Sequence, residues 1–211
     1  MQIFSRISCS AICPLKASLL LAFCSKDIFA FFSVFDHPLF AAKEPPAEGG
    51  TMPVIKLPIP KSPEAKDYLG IKGEGSFTIP QIKAKVVIIE IFSMYCPYCQ
   101  NEAPRVNELY NAIEKNPDLK GKIKVIGIGA GNTPMEVDVF RKKYQIPFPL
   151  FPDVDYSIHK VCGEVRTPYF IGVKINENGT HEVIYSKLGG LQDANQFLEL
   201  ILKLSGLKKE G

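Results

Sequence analysis

The run Val86-Val87-Ile88-Ile89-Glu90-Ile91-Phe92 followed by Cys96-Pro97-Tyr98-Cys99 constrains this chain more than any other stretch. Seven residues that are apolar except for Glu90 describe a strand covered on both faces, as in a parallel or mixed sheet between helix layers. The segment after it has helical character and opens on the cysteine pair. A buried strand thus delivers two thiols, spaced C-x-x-C, to a helix N-terminus. Unpaired N–H groups and the helix dipole there favour a thiolate and lower the first sulfur from its ordinary pKa of about 8.5. Only the thiolate attacks a disulfide, so this placement predicts thiol–disulfide exchange. Half a zinc site has the same spacing. The remaining candidates for a second half (Cys162, His159 and His181) are scattered, which favours redox chemistry over metal.

The chain has 211 residues, 46% of them hydrophobic, enough for one full-core domain with an extension. Its formal charge of +3, with no basic tract and no basic stripe interleaved with aromatics, argues against a nucleic-acid partner. Residues 1–42 differ in kind. Arg6 and Lys16 precede the apolar stretch 17–23, a second apolar stretch spans 28–35, and Ala41-Ala42 lead into a Pro/Gly-rich polar segment. That order predicts an export signal or membrane anchor over 1–42, a linker over 43–53 and a domain over 54–208. Lys26-Asp27 interrupt the apolar stretch, and two charges near the middle of a single spanning helix would cost several kcal/mol. Cys9, Cys13 and Cys24 lie in this leader, so a processed chain keeps Cys96, Cys99 and Cys162. A close pair that does chemistry is expected, not a disulfide-stapled scaffold.

Prolines at 45, 46, 53, 58, 60 and 63 exclude helix from 43–64 and favour extended chain. Short strands are expected at Val54–Leu57 and Ser76–Ile79, then the strand Val86–Phe92, a helix over 97–114 containing Pro104, and a buried strand Ile123–Ile128. Thr133-Pro134-Met135-Glu136 combines a hydroxyl N-cap, a first-position proline and a glutamate three residues after the cap, a strong helix start. A brief helix is expected over 155–161. Tyr169–Ile175 and His181–Ser186 flank Asn176-Glu177-Asn178-Gly179, a hairpin signal, and a final amphipathic helix carries Phe197, Leu198, Ile201, Leu202 and Leu204. Gly129-Ala130-Gly131-Asn132-Thr133 lacks the Lys-Ser/Thr of a phosphate loop and reads as a strand-to-helix turn.

This order, with Cys96/Cys99 ending a buried strand, Pro104 five residues after Cys99, Glu90 six before Cys96, and Thr167-Pro168 entering a later buried strand, resembles the thioredoxin superfamily, particularly the TlpA/ResA-like exported thioredoxins. The resemblance spans roughly residues 54–204. It implies an α/β thioredoxin fold, a central mixed sheet flanked by helices, with N-terminal extended strands and a helical insertion. It also implies Cys96 as exposed nucleophile, Cys99 as buried resolving thiol, and a cis bond at Thr167-Pro168 facing the dithiol. Cys-x-x-Cys-x-x-Glu-x-Pro (Cys96, Cys99, Glu102, Pro104) is the arrangement of the ResA-like subset. Glu90 and Glu102 are therefore candidate proton managers for Cys99. Burial raises the pKa of a carboxyl in so apolar a strand and suits it to proton transfer. The alternatives are a Glu90 paired with Lys83 or Lys85 and a solvated Glu102. Tyr95, Pro97, Tyr98, Thr167 and Pro168 would form the rim that meets a substrate chain. Two departures stand out: Tyr95 replaces the usual tryptophan, and Pro-Tyr is the dipeptide of glutaredoxins.

The expected activity is thiol–disulfide exchange with exported, periplasmic proteins, as a reductant of the cytochrome c maturation type. Electrons would come from a membrane thiol donor, with no metal or organic cofactor. An oxidant or isomerase, a peroxidase built on Ser93-x-x-Cys96, and a metal-binding or interaction domain are the alternatives. A peroxidatic site would need a proline where this chain has Ile89. Cys162 reads as a small core residue.

Overall fold

The computed structural model describes residues 44–207. The leader expected over 1–42, with its cysteines, lies outside them. Near the start of the described residues is a two-stranded antiparallel ribbon, β1 (Leu57–Pro58) and β2 (Ser76–Phe77), in which Leu57 pairs with Phe77. Between them α1 (Pro63–Leu69) overturns the expectation of extended chain to residue 64. The prolines misled: Pro63 occupies the first helical turn, where its missing N–H is no loss, and Ser62 caps the helix by accepting from the Ala65 N–H at 3.1 Å.

The main sheet has the order β5-β4-β3-β6-β7. Its strands are β3 (Val86–Phe92), β4 (Ile123–Ala130), β5 (Leu150–Asp153), β6 (Tyr169–Ile175) and β7 (His181–Leu188). β3, β4 and β5 run parallel; β6 pairs antiparallel with β3 and with β7, giving the mixed sheet. The crossovers are α2 (Pro97–Lys115), α3 (Pro134–Lys143) and α4 (Ser157–Val161), and α5 (Ala194–Ser205) closes the chain. Thr133 and Glu136 complete the expected capping box of α3.

Central position in the sheet buries β3 on both faces, and side-chain alternation divides it between two cores. Val87, Ile89 and Ile91 join the ribbon, α1 and α4 in one core. Val86, Ile88 and Phe92 face α2 and α5 in the other, together with Cys99. Glu90 shares the parity of this second set, so period two alone sends its carboxyl toward the active-site helix. Within the expected linker 43–53, Gly49 N–H donates to Val183 O and Val183 N–H to Gly50 O, both at 2.8 Å, and Met52 is buried. That segment is thus bound along β7. Cys162 is fully buried in the first core.

Candidate active site

The dithiol sits where β3 hands over to α2. Ser93 to Tyr95 turn the chain, and Cys96 is the N-cap of α2. Pro97 follows in the first turn, where it donates nothing and costs nothing. Several hydrogen bonds hold the turn. The Cys96 N–H donates to Ser93 O at 3.0 Å, the Gln100 side-chain amide to Met94 O at 2.8 Å, and the Met94 N–H to Asn132 Oδ1 at 2.9 Å. Beyond the dithiol the helix runs on through Pro104, whose ring is on the exposed side.

The two sulfurs are unlike. Cys96 is partly exposed, whereas Cys99 is fully buried against the second core. Partial burial by itself pushes the Cys96 thiol up. Hydrogen bonds from the Thr167 side chain, from the Cys99 and Tyr98 backbone and from the Cys99 thiol outweigh it, and the net shift is downward. Cys96 Sγ also lies 3.3 Å from Thr167 O, an acceptor available to the protonated thiol. Burial drives Cys99 strongly upward, and the Glu90 charge adds to it. One sulfur is shifted toward the thiolate and its neighbour away from it.

Glu90 is 2% exposed, and its Oε1 has no hydrogen-bond partner. Burial first, then the charges of Glu102 and Cys96, push its carboxyl up to about 8. Of the two lysines offered as alternatives, Lys85 pairs instead with Glu177 at 2.8 Å. Glu102 is buried too, contrary to a solvated helix carboxylate. Its Oε1 accepts from the Leu191 N–H at 2.7 Å and its Oε2 from Arg105 at 3.2 Å.

The Thr167–Pro168 bond is cis and brings Thr167 against Cys96. Tyr95 and Tyr98 are 65% and 75% exposed, so both rings face solvent; Pro97 is exposed as well, Thr167 is half-buried and Pro168 buried. Sequence reasoning missed three supports. Asn132, fully buried, holds the Met94 N–H. Glu136, beyond capping α3, accepts from the Tyr95 hydroxyl. The segment after β7 carries Gly189, whose N–H donates to Pro168 O at 2.9 Å, and Leu191. The only sequence trace of the first was Asn132 within its glycine-flanked turn. His159 and His181 reach backbone carbonyls, Val165 O and Met52 O. Among the described residues, no group of three or more His, Cys, Asp or Glu side chains could hold a metal.

The chain is 27% identical over 133 residues to the thiol-disulfide oxidoreductase ResA of Halalkalibacterium halodurans, covering 62% of this chain and 70% of that one. It is 27% identical over 144 residues to ResA of Bacillus thuringiensis subsp. konkukian, covering 67% and 77%. The fold matches the thioredoxin domain of a thiol-disulfide oxidoreductase from Bacteroides vulgatus with a TM-score of 0.54 at 16% identity, over 74% of this chain and 98% of that one. The AhpC/TSA family profile covers residues 55–182. A thioredoxin fold that ends its central strand in an asymmetric dithiol, with these relatives, leaves one assignment: the chain belongs to the AhpC/TSA family, within the thioredoxin superfamily and similar to ResA, and is a thiol-disulfide oxidoreductase.

Proposed function

We propose that this enzyme reduces disulfides of exported proteins, with Cys96 as nucleophile and Cys99 as resolving thiol. The observation that carries the reading is the opposite setting of the two sulfurs, one lowered at a helix N-cap and one raised in the core. The Cys96 thiolate attacks a substrate disulfide, forming a mixed disulfide and releasing one substrate thiolate, which takes up a proton. Glu90, when ionised, accepts the proton of Cys99. The Cys99 thiolate then attacks Cys96 Sγ, expels the second substrate thiolate and leaves a Cys96–Cys99 disulfide. Two electrons have passed to the substrate, and a membrane thiol donor returns them. Tyr95, Pro97, Tyr98, Thr167 and Pro168 meet the substrate chain, whose backbone pairs beside Thr167 as an added strand does. Residues 1–42 export or tether the protein on the periplasmic side. Among the described residues, no helix is long and apolar enough to cross a membrane.

An oxidant of exported proteins is the competing reading, because the Pro-Tyr dipeptide tunes thiolate stability. A reduction potential near roughly −270 mV supports the reductant and one near roughly −120 mV the oxidant. Trapping is the direct test. Cys99→Ala stalls mixed disulfides on Cys96, and a Cys96→Ala control recovers none. Equal recovery from both variants, or peroxide consumption that survives Cys99→Ser, would overturn the proposal.

A further inference from the structure

We infer that Glu102 and Gly190 form a positioning strut that holds the Thr167–Pro168 segment in register with Cys96. The inference rests on the disulfide-exchange reading above and gives Glu102 work different from proton transfer. A carboxylate that is 5% exposed is costly unless its oxygens are bonded. Here both are: Oε1 takes the Leu191 N–H and Oε2 the Arg105 guanidinium. Leu191 lies between β7 and α5. Two residues earlier the Gly189 N–H donates to Pro168 O, and the adjoining Thr167 O lies 3.3 Å from Cys96 Sγ. A circuit of contacts therefore leaves α2 at Glu102, passes through residues 189–191 and the cis-proline segment, and returns to α2 at Cys96.

The two glycines in that circuit serve different ends. Gly189 has φ +109°, a conformation that side chains rarely adopt. Gly190 has no such backbone requirement. A Cβ there would collide with the Glu102 carboxyl carbon and Oε2 and press tightly on Oε1. Gly190 is glycine because the carboxylate is packed against its Cα. Gly190→Ala thus pushes the strut apart without changing a titratable group.

The test compares Glu102→Ala, Gly190→Ala, their double variant and Glu102→Gln with wild type. The readouts are KM and kcat for reduction of insulin and the pH midpoint of Cys96 alkylation by iodoacetamide. Glu102→Ala and Gly190→Ala should each raise KM at least about threefold with a smaller change in kcat. Each should also move the alkylation midpoint upward, as the Thr167 side chain that favours the thiolate recedes from the sulfur. The double variant should be no worse than Glu102→Ala, because the two residues act as one unit. Glu102→Gln, which keeps an acceptor for the Leu191 N–H, should return KM to within about twofold of wild type. A wild-type-like Gly190→Ala, additive losses in the double variant, or a Glu102→Gln as damaged as Glu102→Ala would overturn the inference. Should Glu102→Ala fail to fold, Gly190→Ala and Glu102→Gln carry the test. A wild type that reduces no protein disulfide would count against the proposed function, while the alkylation midpoints would still report on the strut.

Discussion

Glu90 should cost this protein stability in proportion to the ionisation it resists. Its carboxyl is raised from 4.5 to about 8, because burial without a partner on Oε1 disfavours the charge. Below pH 4.5 both folded and unfolded chains carry the proton and nothing is lost. As pH rises past 4.5 the unfolded chain releases its proton while the folded chain keeps it, so folding grows less favourable. The loss levels off only above about 8, where both states are ionised. At ~1.4 kcal/mol for each tenfold change in proton affinity, the full penalty is ~5 kcal/mol, and at pH 7 it is ~3 kcal/mol. Glu90→Leu removes it, placing an apolar side chain on a face already built from Val86, Ile88 and Phe92. Urea denaturation of the reduced proteins between pH 5 and 9 is the assay. The variant should gain on wild type as pH rises, with the difference approaching a constant packing term toward pH 5. Cys96, whose lowered thiol pulls stability the other way, is common to both proteins, so only the charge coupling of Glu90 to the two cysteines differs between them. The same substitution should lower kcat for protein disulfides by about 10²-fold or more if Glu90 takes the Cys99 proton as proposed. A pH-independent difference would refute the ionisation argument, and unchanged turnover would refute the catalytic one.

Thr167→Val removes a hydrogen bond that favours the Cys96 thiolate, so the alkylation midpoint of Cys96 should move to higher pH; an unmoved midpoint would mean the helix N-cap alone sets it. Tyr68 closes the free stretch of β4, its hydroxyl accepting from the Val125 N–H at 2.8 Å and donating to Val125 O at 3.3 Å. Tyr68→Phe should therefore lose ~1–3 kcal/mol in denaturant melts with kcat and KM unaltered. Asn132→Ala orphans the Met94 N–H beside the dithiol and should cost ~1–3 kcal/mol with a matching shift in thermal midpoint; stability equal to wild type would show that the turn holds without it.

Local chemistry made most elements legible. Val86–Phe92 and Tyr169–Ile175 have the bounds their apolar runs predict, and Thr133-Pro134 starts α3. Those signals work because strand burial and helix capping depend on a few consecutive residues. α1 was illegible because proline density looks alike in an extended approach and in a helix whose first position is proline. The 49–50 contact with Val183 on β7 joins residues far apart in sequence, and no local pattern announces it.

What the sequence alone determined was the reagent: two thiols at the start of a helix, a carboxylate six residues before them, and a Thr-Pro pair downstream, each readable from spacing. What only the tertiary structure decided was how unequal these groups are. Burial without a partner makes Glu90 a weak acid, bonds to Leu191 and Arg105 occupy Glu102, and Asn132 and residues 189–191 become parts of the site. The reason is physical: pKa and orientation depend on desolvation and on partners that arrive from other elements of the chain, and neither distance is written in the order of residues.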